Sequence, residues 1–146
     1  MKNLKKITSA VLALTLALSL TACGGKTETP DTPDEPAKMY KIGISQYGEH
    51  ASLDNCREGF LQGLAQAGLV EDVDFKVDYQ NAGFDDAIAT QIGQSFSAGD
   101  VDLMVGIATP SAVACFNAAE DKDIPVIFPA ITDPVQAKLD SGNVTG

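Results

Sequence analysis

From Tyr40 onward the chain switches repeatedly between two spacings of apolar residues. Tyr40-Lys41-Ile42-Gly43-Ile44-Ser45 reads as a strand, and Leu53, Cys56, Phe60, Leu61 and Leu64 then fall at helical spacing. Ser52 is the expected N-cap of that helix and Gly68 its stop. Val73, Phe75, Val77 and Tyr79 alternate with Asp74, Lys76 and Asp78, which predicts a second strand with one half-exposed face, near a sheet edge. A second helix is expected from about Asp85 to Ala98, with Ile88, Ile92 and Phe96 on one stripe and Gly99 ending it. Val101 to Ile107 is almost wholly apolar, as a buried parallel strand should be. Thr109-Pro110 opens a third helix, with Thr109 capping it and Pro110 placed where a missing N–H costs nothing. Ile124 to Phe128 forms a fourth strand, after which Pro129 to Pro134 leads into a short helical stretch.

Strands and helices taking turns in this way specify an α/β, doubly wound parallel sheet. Right-handed crossovers and the half-exposed second strand favour the strand order 2-1-3-4. The first helix then covers one face, and the second and third cover the other. In such a sheet a ligand crevice lies beyond the carboxyl ends of strands one and three, where the order reverses. The loops there are Gln46 to Ser52 and Ala108 to Ser111. The third helix is expected to leave free N–H groups at Ser111 and Ala112, with its positive dipole end toward the crevice. A carboxylate or phosphate suits such a place, and the hydroxyls of Thr109 and Ser111 offer further donors. Gly43 and Gly106, in or at the end of strands, suggest close backbone approach.

The stretch before Tyr40 has a different character. Lys2, Lys5 and Lys6 precede an uncharged run of 16 residues, Ile7 to Ala22, that closes on Leu20-Thr21-Ala22-Cys23. A basic head, a short apolar stretch and small residues at the cut predict a secretory signal over residues 1–22. The alternative, a membrane-spanning helix, needs about 20 apolar residues. The Leu20-Thr21-Ala22-Cys23 ending resembles a bacterial lipobox, so Cys23 is the expected lipid attachment point. Residues 23–38, with Pro30, Pro33 and Pro36 among Thr and acidic residues, read as a disordered tether, and 39–146 as one folded lobe. The expected location is the extracytoplasmic face of a cell membrane.

Loss of the three leader lysines takes the formal charge from −10 to −13, which argues against nucleic acid or anionic headgroups as partners. Export permits a disulfide between Cys56 and Cys115, yet the topology puts their helices on opposite faces. Two buried free thiols are therefore the favoured reading. His50, the only histidine, either bonds a ligand or lines its loop. Asp133 either starts a turn with Pro134 or offers a counter-charge to an amino group. No Gly-x-Gly-x-x-Gly, Walker loop, Gly-x-Ser-x-Gly or His-x-x-x-His spacing occurs. A cofactor, a metal site and an enzymatic activity are accordingly not expected.

The run from Lys41 to Asp54, Gln80-Asn81-Ala82, Ile107 to Ala112, Thr132-Asp133-Pro134-Val135 and Asn143-Val144-Thr145-Gly146 together resemble the bacterial ABC-transporter substrate-binding lipoproteins. The similarity is to the periplasmic-binding-protein type I-like branch that includes binders of tryptophan and other aromatic amino acids. It covers Met39 to Gly146 in order. It implies one lobe of a two-lobed clamshell that captures a small organic solute and delivers it to an ABC permease. It also implies ligand contacts at Gln46, His50, Thr109, Ser111, Ala112 and Asp133. Asn143 to Gly146 resembles the crossing into a second lobe, so the expectation is an N-terminal lobe alone, from a fragment or truncated product. A ligand-sensing regulator with the same lobe is the alternative, disfavoured by the lipobox; an exported enzyme lacks a visible nucleophile-base pair.

Overall fold

The computed structural model describes residues 38–139 and 144–146. The expected leader at 1–22, Cys23, the expected tether up to residue 37, and Asn143 lie outside the described residues. Five parallel strands, β1 (Tyr40–Gln46), β2 (Phe75–Asn81), β3 (Leu103–Ile107), β4 (Val126–Ile127) and β5 (Val144–Thr145), form one sheet in the order β2-β1-β3-β4-β5. Three helices connect them: α1 (Ala51–Gln66), α2 (Asp86–Ala98) and α3 (Thr109–Ala119). The predicted order 2-1-3-4 holds, and β5 extends it by one short strand. Among the described residues no helix is long and apolar enough to cross a membrane.

Alternation along the strands divides the core in two. Ile42, Ile44, Phe75, Val105 and Ile107 face α1, which packs on them through Leu53, Cys56, Phe60, Leu61 and Leu64. Met104 and Val126 point the other way, toward Ala89, Ile92 and Phe96 of α2 and Ala114, Cys115 and Ala119 of α3. Fully burying a side chain such as Ile44, Ile107 or Phe96 contributes about 1.5–3 kcal/mol. A third cluster, of Ala112, Phe128 and Leu139, ties the segment after β4 to α3. No residue of α1 is fully buried, unlike α2 and α3. Cys56 is partly buried rather than buried, and both thiols are free. They belong to clusters on opposite sides of the sheet, as the topology requires.

The boundaries move where local hydrogen bonds compete with the pattern. β2 starts at Phe75 instead of Val73, because Val70 to Asp74 folds into a turn in which Asp74 Oδ2 accepts the Val70 N–H at 2.7 Å. Val73 is left 62% exposed. Asp85 precedes α2 as its cap, taking the N–H groups of Ala87 and Ile88 at 2.7 and 3.0 Å. The buried stripe of α2 runs through Ala89, Ile92, Gly93 and Phe96, which leaves Ile88 exposed, contrary to expectation. The stretch after Pro134 is a single helical turn, closed by Ala137 N–H to Asp133 O and Leu139 N–H to Pro134 O. Gly106 does permit close approach: a Cβ there would sit 2.4 Å from Ala112 Cα, so only glycine lets α3 rest on the strand. Gly43 makes the same allowance for the Phe96 ring.

Candidate functional site

Four loops meet at the carboxyl edge of the sheet, pinned to one another by backbone bonds. Tyr47 N–H donates to Ile107 O at 3.2 Å, and Ala82 N–H to Gln46 O at 2.9 Å. Phe84 N–H donates to Tyr47 O at 2.7 Å, and Ala108 N–H to Pro129 O at 3.2 Å. The loops at the ends of β1 and β3 are therefore held to one another by the backbone itself.

Ala108 is the pivot of one wall. It adopts φ 76°, ψ 156°, a region in practice reserved for glycine, at a cost of about 1–3 kcal/mol. That turn, not a side chain, starts α3: Ala108 is the N-cap residue, and no side chain bonds the helix start. The expected Thr109 cap is thus replaced by a backbone device, with Thr109 and Pro110 as the first helical residues. Ala112 N–H bonds Ala108 O at 3.0 Å and closes the first helical turn. The free N–H expected at Ala112 is consequently absent, and Ala112 is wholly buried. Among the described residues the N–H groups of Thr109 and Ser111 have no acceptor, and Pro110 has no N–H to satisfy. Two donors at the positive end of the helix therefore face the edge where β3 ends.

The Ser111 hydroxyl turns inward instead. It is fully buried and lies 3.2 Å from the Ser45 hydroxyl. One helical turn on, burial pushes the Cys115 thiol up to about 12, against a smaller opposing effect of the Ser45 hydroxyl. Ser111 is thus wholly buried, its side chain anchoring α3 to β1 and its N–H left without an acceptor.

Gln46 is likewise buried and committed. Its Nε2 donates to Gly48 O at 2.8 Å and Asp54 Oδ1 at 2.9 Å, while its Oε1 accepts from Arg57 at 3.3 Å. Arg57 lies over the Tyr79 ring, 4.5 Å from its centroid, and 3.8 Å from Asp54. The side chain shapes the loop from beneath α1. His50, not Ser52, is the cap of α1: its Nδ1 takes the Ser52 N–H at 3.3 Å and lies 2.7 Å from the Ser52 hydroxyl. The ring is exposed, and among the described residues Nε2 has no hydrogen-bond partner. Asp133 is exposed, and its Oδ1 accepts the Gln136 N–H at 2.9 Å, so it starts the turn after β4; a carboxylate keeps further acceptor sites.

Two residues of this edge escaped the sequence reading. Phe84 stands 56% exposed at φ 64°, with its ring over Gly48, where a Cβ would meet it at 2.3 Å. Tyr47 meets that ring edge-on, with centroids 5.6 Å apart and planes at 87°. The Tyr47 hydroxyl reaches Asp86 Oδ1 at 2.8 Å, and this bond raises the phenol above its ordinary range. The only sequence hint was an aromatic residue directly after Gly83, where the strand pattern breaks. Among the described residues no group of three or more His, Cys, Asp or Glu is placed to hold a metal ion.

Residues 41–146 match the family described as ABC transporter substrate binding protein. The chain is similar to the tyrosine-binding protein of Clostridioides difficile (strain R20291), 39% identical over 153 residues, covering 97% of this chain and 44% of that protein. It is also similar to the ligand-free, open structure of a substrate-binding protein with adhesive properties from Clostridium difficile. There the TM-score is 0.70 and the identity 39%, over 74% of this chain and 38% of the other. An ABC domain in complex with L-Trp from Streptococcus pneumonia gives 0.69 and 40%, over 75% and 38%. The chain spans less than half the length of each of these relatives. With 106 residues in register with one family of substrate binders rather than enzymes, and with that family's fold built around a polar crevice, this chain belongs to the ABC transporter substrate-binding proteins.

Proposed function

We propose that this lobe captures an aromatic amino acid in the crevice between β1 and β3, as part of the solute-binding component of an ABC importer. The observation that carries the proposal is the pair of N–H groups at Thr109 and Ser111, set at the start of α3 by the strained Ala108. The solute carboxylate rests on these donors, and Asp133 stands available to its ammonium. His50 borders the same crevice through its exposed ring. One charge-assisted hydrogen bond contributes roughly 1.5–3 kcal/mol. The relatives named for tyrosine and crystallised with L-Trp favour an aromatic solute.

The opposing wall of the cleft belongs to a second α/β lobe, for which the greater length of the relatives leaves room. Closure of such a lobe excludes water and strengthens the bonds inside. The lobe described here should bind alone at about millimolar affinity, worth about 4 kcal/mol. Lipid on Cys23 holds the protein at the extracytoplasmic face, within reach of its permease subunits.

The test is an NMR-monitored titration of the chain with L-tryptophan and L-phenylalanine. Amide shifts at Thr109 and Ser111 are expected, unchanged by Ser111→Ala, which keeps the N–H, and lost in Ser111→Pro, which removes it. Binding by Ser111→Pro equal to wild type, or no shift with either amino acid at tens of millimolar, would overturn the proposal.

A further inference from the structure

We infer that Phe84 is the specificity-determining contact of the crevice, its ring receiving the aromatic ring of the bound amino acid; this rests on the function proposed above. Large apolar side chains are exposed at several places among the described residues, including Val135 after β4 at 66% and Tyr79 and Ile88 at 40% each. Tyr40, Leu69, Val70 and Val73 lie at the amino end of the strands, away from the crevice. Phe84 stands at the carboxyl end, in the loop between β2 and α2, against the β1–α1 loop that walls the crevice.

Its setting is built and rigid. The backbone at φ 64° is one that a bulky residue rarely adopts, and such an outlier persists only where its surroundings hold it. Here the Phe84 N–H is held by Tyr47 O at 2.7 Å, and the Tyr47 hydroxyl lies 3.2 Å from Phe84 O. One ring face is laid on Gly48, where even a methyl group would collide, and Tyr47 meets the ring at right angles. Even so, 56% of the residue is exposed. A ring buried for stability would be covered. A ring held in place yet exposed loses little freedom when a second flat ring stacks on it, which is the advantage of a preorganised contact. Tyr47, held by Asp86, keeps that geometry without touching the solute itself.

Phe84→Asn removes the ring and suits the left-handed backbone, and Phe84→Tyr retains the ring. NMR titration of the full chain with L-tryptophan, L-phenylalanine and L-leucine separates the possibilities. In wild type, the aromatic pair should bind more tightly than leucine, with cross-relaxation between solute ring protons and the Phe84 ring. Phe84→Asn should weaken the aromatic pair about five- to tenfold and leave leucine unchanged, while Phe84→Tyr restores discrimination. Equal affinity for aromatic amino acids in wild type and Phe84→Asn, with Thr109 and Ser111 still shifting, would sink this assignment alone. Absence of binding by any of the three would sink it together with the proposed function. The cross-relaxation measurement needs no variant, so its absence in a bound wild-type sample also refutes the contact.

Discussion

Substituting Gly106 by alanine is the sharpest challenge to the geometry that seats α3. A Cβ at Gly106 would lie 2.4 Å from Ala112 Cα, 2.7 Å from Ala112 N and 2.9 Å from Ser111 O. All three are backbone atoms, so no side-chain rotation relieves the clash. Ordinary contact begins near 3.4 Å, and the start of α3 must therefore withdraw from β3 by about 1 Å. Overpacking of this kind costs about 1–3 kcal/mol, and a rigid helix against a central strand belongs at the upper end. For a domain of about 100 residues, 2–3 kcal/mol lowers the midpoint of thermal unfolding by about 10–20 °C. Gly59→Ala in α1 supplies the opposite case, since nothing lies within 4 Å of its Cβ position. There the gain in helix propensity should raise stability by about 0.5–1 kcal/mol. Circular dichroism melts of the two variants beside wild type decide the matter. If Gly106→Ala melts within 2 °C of wild type, α3 does not rest on the strand as described, and the placement of the Thr109 and Ser111 donors fails with it.

Ala108→Gly should relieve the backbone strain and raise the urea midpoint by an amount equivalent to about 1 kcal/mol, while amide shifts on solute binding persist. Raising the pH above 9 should destabilise the fold, because the unfolded Cys115 thiol loses its proton near 9 whereas the folded one holds it up to about 12. The slope approaches about 1.4 kcal/mol per pH unit above 9, and Cys115→Ala should remove this contribution in chemical denaturation at pH 8 to 10. At neutral pH, partly buried Cys56 should react with a thiol reagent well before Cys115 does. Cys23→Ser should prevent lipid labelling and release the protein from membranes; unchanged membrane fractionation would assign the tether elsewhere.

The strand order was readable because two signals agreed: the unbroken apolar run of β3 and the half-exposed alternation of β2. Boundaries were less readable where a polar side chain makes a local bond. Asp74 pulls Val73 into a turn and His50 starts α1 ahead of Ser52, choices that periodicity cannot express. The residue types named loops that the fold does bring to one edge of the sheet, but not which of their atoms are already bonded. Ser111 was legible as a polar residue at a helix start, yet its hydroxyl belongs to Ser45 and the whole residue is buried, with its N–H left without an acceptor. Gln46 fares similarly, because the partners that absorb its amide, Asp54 and Arg57, become its neighbours only once α1 folds back on β1. The strain at Ala108 and Phe84 left no trace, since nothing in either side chain announces a positive φ.

The shallow seat of α1, with no residue fully buried, bears on how this lobe survives in solution. Local opening draws on the least secured element, and α1 should detach at a lower free energy than α2 or α3. Detachment exposes Ile42, Ile44, Val105 and Ile107 as one apolar sheet face, the kind of surface through which partly open chains associate. The same event unseats His50 and frees Gln46 from Asp54 and Arg57, so the crevice loop and the solubility of the lobe share one latch. A solute held by that loop would keep the latch shut, slowing amide exchange throughout α1 and delaying aggregation on storage, a protective role separate from delivery to any permease.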